Sequence, residues 1–281
     1  MKNEAMSLMQ RLKNVAEEKG INAQIVQQNY MFERFLIKLS HSRYKNNFIL
    51  KGGFLVASLI DISNRTTKDI DALVGNMVFS KDAVTNMFEE ILAIELDDNI
   101  NFQITKVAPI REDDEYGGFR LTVKAGHYGS NFTLQFDIST GDIIDPPGET
   151  AYTYHPLFSN ETIDILTYSL ETILAEKLQT IFSRRESTTR MHDYFDVYII
   201  KKLKSNDIRY DILDTAIKNT AKHRDTEDAF LKWDNTLEVL VSNEKLLMSW
   251  KGYRESNPYV ENVEFSETID AIRIIMTSLN V

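Results

Sequence analysis

Cysteine is absent from the 281 residues. That excludes disulfides and thiolate metal sites and fits a reducing compartment. Long apolar runs are absent as well, and no stretch approaches the roughly 20 residues that span a bilayer. Met1-Lys2-Asn3-Glu4-Ala5-Met6 lacks the apolar core of a signal peptide. The expected location is therefore cytoplasmic, with no membrane partner. Basic residues are in the minority: 32 Lys and Arg face 42 Asp and Glu, a formal net charge of −10. Such a chain is a poor non-specific binder of nucleic acid. A local basic groove stays compatible with it, and so does a metal-complexed triphosphate.

What is present describes a packed protein. The composition is 43% hydrophobic and 26% charged, which predicts a folded core rather than disorder. The length suits one large domain or two ordinary ones. The first ~40 residues read as helix, with Met6, Met9, Leu12, Val15 and Ala16, then Ile25, Val26, Tyr30, Phe35, Leu36 and Leu39, at helical spacing. From residue 47 to about 140 the texture becomes β-rich: Phe48 to Leu50, Ile70 to Val74, Phe102 to Ile104, Phe119 to Val123 and Phe132 to Ile138. Gly126-His127-Tyr128-Gly129-Ser130-Asn131 supplies hairpin turn chemistry, and residues 81–97 predict a helix. Asp145-Pro146-Pro147-Gly148 is the clearest boundary signal. After a short extended passage, Tyr152 to Phe158, the rest reads as helical. The expectation is an α+β domain over 1–148 and a helical domain over 149–281 that completes the site.

The most informative stretch is Lys51-Gly52-Gly53-Phe54, followed by a helix-like run from Leu55 to Leu59 and then Arg65-Thr66-Thr67-Lys68-Asp69-Ile70-Asp71. A strand alternates its faces, so Asp69 and Asp71 point the same way. Two carboxylates on one face repel unless a cation sits between them. Hard cations such as Mg²⁺ take oxygen ligands and share them with phosphates. A glycine pair lets the backbone approach a phosphate closely. A bare Asp-x-Asp is usually a solvated turn; its coupling to the glycines through a helix-length segment points to nucleotidyl transfer.

Three further groups bear on chemistry. Asp137 lies in the apolar strand Leu134 to Ile138, where an unpaired carboxylate is costly. A metal shared with Asp69 and Asp71 offsets that cost, as does a salt bridge to an Arg or Lys or a strand-end cap. Asp142 reads as a turn residue. Lys177, Thr180 and Arg184 recur on one helix face, suited to binding phosphates; ion pairs from Lys177 or Arg190 to Asp193 read equally well. Lys177 borders the apolar stripe of its helix, with its stem partly covered. Tyr194, Phe195, Tyr198, Lys201, Lys202 and Lys204 could stack on and pair with nucleic acid, although such aromatics are more often core. The histidines have no metal-ligand spacing.

Taken together, Leu50-Lys51-Gly52-Gly53, Arg65-x-Thr67-Lys68-Asp69-Ile70-Asp71, Asp137 in its strand, Leu174-Ala175-Glu176-Lys177-Leu178 and Arg190-x-x-Asp193-Tyr194-Phe195-Asp196 resemble the AbiEii/AbiGii family of nucleotidyltransferase-like toxins, over roughly residues 27–200. The resemblance implies an α+β fold: a polymerase-β-like nucleotidyltransferase domain with a mixed sheet, followed by a helical C-terminal domain. It implies a toxin of bacterial abortive-infection and toxin–antitoxin pairs, active in phage defence, with an antitoxin that need not form a stable direct complex. It implies NTP as substrate, Mg²⁺ or Mn²⁺ as cofactor and the tRNA 3′ end as acceptor. By position, Asp69, Asp71 and Asp137 would be metal-binding and catalytic, with Asp137 helping to activate the attacking hydroxyl. Lys51, Gly52, Gly53, Arg65, Thr67, Lys177 and Arg190 would bind nucleotide, and Lys177 and Asp193 would be catalytic. Many nucleotidyltransferases carry Ser or Thr directly after the glycine, where this chain has Phe54. Nucleotidylation of a protein, or nucleotide binding without turnover, are the competing functions.

Overall fold

The computed structural model describes residues 2–110, 117–127, 129–142, 144, 149–159 and 161–280, with the side chains of residues 2–7 left aside. The Met6 side chain, Tyr128 and the Asp145-Pro146-Pro147-Gly148 boundary signal fall outside what is described. By its internal contacts the chain forms two units: residues 1–142 with 150–167, and residues 143–149 with 168–281.

The first unit opens with helices α1 (Lys2–Lys19) and α2 (Ala23–His41). The Asn22 side chain starts α2 by accepting from the Gln24 amide at 2.7 Å, satisfying one of the amides a helix N-terminus leaves unpaired. Then come β1 (Phe48–Lys51), α3 (Gly52–Ile60), β2 (Asp69–Val74), α4 (Lys81–Leu92), β3 (Ile100–Ile110), β4 (Gly118–His127), β5 (Ser130–Ser139), β6 (Thr150–Tyr154) and β7 (Ile163–Thr167). The predicted helix over 81–97 stops at Leu92. The strands form one mixed sheet among the described residues, ordered β3-β4-β5-β2-β1-β7-β6. β2 runs parallel to β5 and β1 parallel to β7; the remaining neighbours are antiparallel. The β4–β5 hairpin closes with His127 opposite Ser130, where the turn chemistry placed it.

Period-two alternation gives this sheet two unlike faces. Leu121, Val123, Ala125, Leu134, Phe136, Ile138, Ile70 and Ala72 are all buried on one face. An aromatic cluster anchors α2 there: Phe35 lies 4.5 Å from Phe136 and 5.3 Å from Phe88 between ring centres, and Phe32 lies 5.6 Å from Phe54. The intervening strand positions, among them Asp69, Asp71, Arg120, Gln135 and Asp137, are half-buried or exposed. The site residues of this unit occupy that second face.

One carboxyl of α2 is placed otherwise. Glu33 is buried, and its Oε1 accepts from Tyr154 Oη at 2.8 Å, the Leu157 amide at 3.0 Å and Asn29 Nδ2 at 3.0 Å. Its Oε2 is buried without a hydrogen-bond partner among the described residues. Desolvation lifts this carboxyl to about 7, against the pull of those donors.

The second unit holds α5 (Leu170–Arg184), α6 (Met191–Lys204), α7 (Tyr210–His223), α8 (Trp233–Val241), α9 (Glu244–Ser256) and α10 (Phe265–Thr277). Ser169 caps α5 by accepting from the Thr172 amide at 3.1 Å. Helix α5 packs on α6 and α7, and α10 packs on α6 and α8. Tyr194 is enclosed and stands 5.1 Å from Phe265; Phe195 is enclosed and stands 5.2 Å from Tyr259. With Tyr198 also buried, these aromatics are helix core rather than a stacking surface for nucleic acid. Among the described residues no helix is long and apolar enough to cross a membrane.

Candidate active site

Sheet register assembles the charges of the first unit. Lys51 pairs with Asp71 across β1 and β2, Asp71 with Asp137 across β2 and β5, and Asp137 with Arg120 across β5 and β4. Directly paired residues project from the same face. One rung of the sheet therefore reads Lys51, Asp71, Asp137, Arg120: two carboxylates flanked by two cations. Asp69 stands one step along β2 on the same face, beside Gln135.

The glycines explain how β1 enters this rung. Gly52 has φ +65°, in the left-handed region, and a Cβ there would collide with the Asp71 carboxylate. Only glycine accommodates both the turn and the acid. At Gly53 a Cβ would lie 3.0 Å from Thr67 Oγ1 and 3.1 Å from Arg65 Nη2. Arg65 is buried, and Thr67 donates its hydroxyl to Asp69 Oδ1 at 2.7 Å. Helix α3 starts here without a side-chain cap. An uncapped helix start with a guanidinium and a hydroxyl over it has the chemistry of an anion site.

Phe54 bears no polar duty in this turn. It points into the core, stacked on Tyr154 at 5.9 Å and edge-on to Phe32. The hydroxyl missing after the glycine pair has a neighbour in Thr67 instead.

Lys51 forms an ion pair with Asp142. Asp142, expected as a turn residue, also lies 3.5 Å from Ser139 Oγ. Its link to Lys51 spans 91 positions, a distance no spacing rule reaches. Arg120 was likewise missed by sequence reasoning. It holds both oxygens of Asp137, Nε to Oδ1 at 2.7 Å and Nη2 to Oδ2 at 2.6 Å. The period-two pattern placed Arg120 on a strand but not its cross-strand partner.

The donor set on β2 fits a hard divalent cation, because carboxylate oxygens on one face are what such ions take. Asp69 and Asp71 are the residues that would hold it. Asp137 has both oxygens engaged by Arg120. Among the described residues no set of three His, Asp or Glu is grouped to hold a metal.

The remaining predicted residues lie in the second unit. Lys177 on α5 is buried, with Nζ 3.0 Å from Asp193 and 2.6 Å from Asp196 on α6. Arg190 donates to the second Asp193 oxygen at 2.8 Å. The expected position of Lys177 at the border of its stripe is corrected: Lys177 is interior because α6 covers it. The neighbouring Glu176 pairs with Arg224 at 2.8 Å. Arg184 is exposed, so Lys177, Thr180 and Arg184 do not present one cationic surface. Burial pushes the Asp193 carboxyl up, but Lys177, His192 and Arg190 overcome it and hold the acid well below the usual carboxylate range.

Comparison with known proteins agrees with this architecture. The structure is similar to JHP933 from Helicobacter pylori, with a TM-score of 0.54 at 14% identity, covering 91% of each chain. It is similar to a putative nucleotidyltransferase from H. pylori, at 0.55 and 14% identity, covering 92% of this chain and 95% of that one. It is also similar to MenT4, a nucleotidyltransferase toxin from Mycobacterium tuberculosis H37Rv, at 0.56 and 14% identity, covering 95% and 97%. At such identities the likeness shows the fold. No curated protein matches the sequence. The family described as nucleotidyl transferase AbiEii toxin, type IV toxin–antitoxin system, matches residues 34–271, well beyond the motifs near the N-terminal half. With its mixed sheet, its helical C-terminal region and this match over most of its length, the chain belongs to the AbiEii family of nucleotidyltransferase toxins of type IV toxin–antitoxin systems.

Proposed function

We propose that the protein transfers a nucleotide from an NTP to an acceptor hydroxyl, with Mg²⁺ or Mn²⁺ as cofactor and the tRNA 3′ end as acceptor. Family membership brings an NTP substrate and an antitoxin counterpart. The observation that carries the finer reading is the register of β1, β2 and β5, with Asp71 seated over Gly52 at the start of α3. When bound, the divalent cation supplies Lewis-acid polarisation of the phosphoryl oxygens. The chain supplies the rest. Asp69 and Asp71 hold the cation. The α3 amides, Arg65 and Thr67 orient the triphosphate. The acceptor oxygen bonds to the α-phosphorus as the bond to the bridging oxygen breaks, and pyrophosphate leaves. The hydroxyl proton passes to solvent water, because Arg120 holds both oxygens of Asp137, the carboxylate expected to take it. In the second unit, Lys177 and Arg190 keep Asp193 ionised and oriented, which makes Lys177 a positioning residue for the acid that the family motif singles out.

Incubation with labelled NTPs, Mg²⁺ and either total tRNA or lysate tests this directly. Label on tRNA 3′ ends is expected. Label on protein would move the function to protein nucleotidylation, and nucleotide binding without incorporation would move it to a regulator. Expression in a bacterium should slow growth, and Asp69→Ala should relieve that at equal soluble level.

A further inference from the structure

Asp137 stands beside Asp71 in register, a position that by itself would make it a metal ligand. Its surroundings say otherwise. Arg120 sits directly across β4 and β5 from it and closes a two-bond fork, 2.7 and 2.6 Å, on both carboxylate oxygens. The planar guanidinium matches that geometry and stays charged at every physiological pH. The hydrogen bonds Arg120 donates to Asp137 and the charges of Asp69 and Asp71 all raise the Arg120 pKa, so the guanidinium lies within the field of the whole acidic group. The fork takes up one lone pair on each oxygen and sets a positive charge where a divalent cation would approach.

We propose that Arg120 is a positioning residue that withholds Asp137 from the metal, so that a divalent cation is carried by Asp69 and Asp71 while the guanidinium neutralises the third carboxylate. This rests on the proposed function, which places the cation on β2. The consequence is a cation count set by an arginine. Without nucleotide the protein should bind one divalent ion, and removing Arg120 should turn Asp137 into a ligand.

Calorimetric titration of the full chain with MnCl₂, without nucleotide, reads this out. The parent should bind Mn²⁺ in a manner that needs Asp71 and ignores Asp137→Asn. Arg120→Ala should bind Mn²⁺ about tenfold tighter or take up a second equivalent, because an opposing cation a few ångströms away has gone. That gain should vanish in Arg120→Ala with Asp137→Asn. Arg120→Lys, which keeps the charge and loses the fork, should fall between and decides the matter if Arg120→Ala fails to fold. The inference is overturned if Asp137→Asn weakens Mn²⁺ binding as much as Asp71→Ala does, or if neither Arg120 variant changes it. In those cases the proposed function stands. If Asp71→Ala leaves Mn²⁺ binding intact, or if no protein binds the ion, both readings fall.

Discussion

Arg120 and Lys177 each serve aspartates, yet their settings are opposite. The Arg120 side chain is 45% exposed on an open strand face. The Lys177 side chain is 10% exposed, and its partners Asp193 and Asp196 are 2% and 0% exposed. On the open face water replaces a lost partner, so the group can exchange ligands at little cost. Inside the helical unit nothing replaces it, because a buried charge without its counter-ion is severely penalised. The strand rung suits a site that must take and release ions. The helix cluster suits a fixed orientation.

The sharpest test of that contrast is Lys177→Ala. It leaves two buried aspartates facing each other, and unfolding by urea should show a loss of about 3–5 kcal/mol. Arg120→Ala should cost at most ~1 kcal/mol. Equal melting of both variants would break the comparison. Any loss of activity in Lys177→Ala therefore has to be normalised to folded protein.

A buried acid in the first unit shows whether burial, rather than unit, makes the difference. Glu33 has a folded pKa of about 7 against an ordinary 4.5. A raised folded pKa means that the native state holds the proton more tightly. The stability it contributes is full below about pH 4.5 and is lost as pH rises through about 7. Glu33→Gln stays neutral and can keep the Oε1 contacts. At pH 8 it should be more stable than the parent by on the order of 3 kcal/mol, with the difference closing towards pH 4. A parent stability that does not decline between pH 5 and 8 would sink this.

Gly52→Ala combines an unfavourable left-handed φ with a collision against Asp71. A cost of about 1–3 kcal/mol is expected, together with weaker Mn²⁺ binding as the carboxylate is displaced. Retention of both stability and Mn²⁺ affinity would remove the glycine from the site. Smallest in stability, and largest in function, is Asp69→Ala with Asp71→Ala: within ~0.5 kcal/mol of the parent, as for other surface changes, but without metal-supported NTP binding. Calorimetry showing equal NTP affinity in the presence of Mg²⁺ would refute the metal assignment.

Much of the first unit was legible because its signals are local. Asp69 and Asp71 share a face by strand alternation, and the Gly52-Gly53 turn lies next to its own helix. Phe119 to Val123 and Phe132 to Ile138 alternate over lengths sufficient to name strands. The hairpin of β6 and β7 was not legible as part of the same sheet: Ile163 to Thr167 is short, and it joins by pairing in parallel with β1, over a hundred positions earlier. The place of Phe54 was not legible either, because its ring packs against Phe32 and Tyr154 from other elements.

The second unit was less legible for a different reason. Helical periodicity names a buried face only when the other face meets water. Helix α6 is covered broadly, and Asp193 and Asp196 are enclosed with Tyr194 and Phe195. In sequence Asp193 was legible as an ion-pair partner of Lys177 or Arg190 and both acids as part of a motif, but the spacing did not show that they are enclosed.

The sequence by itself determined the class of fold, the family motifs and the pair of carboxylates on β2, since each depends on neighbours within a few residues. The tertiary structure decided which charge meets which. Arg120 reaches Asp137, Lys51 reaches Asp142 and Lys177 reaches two aspartates because strand register and helix packing bring distant positions within hydrogen-bonding range, and burial then sets what each contact is worth.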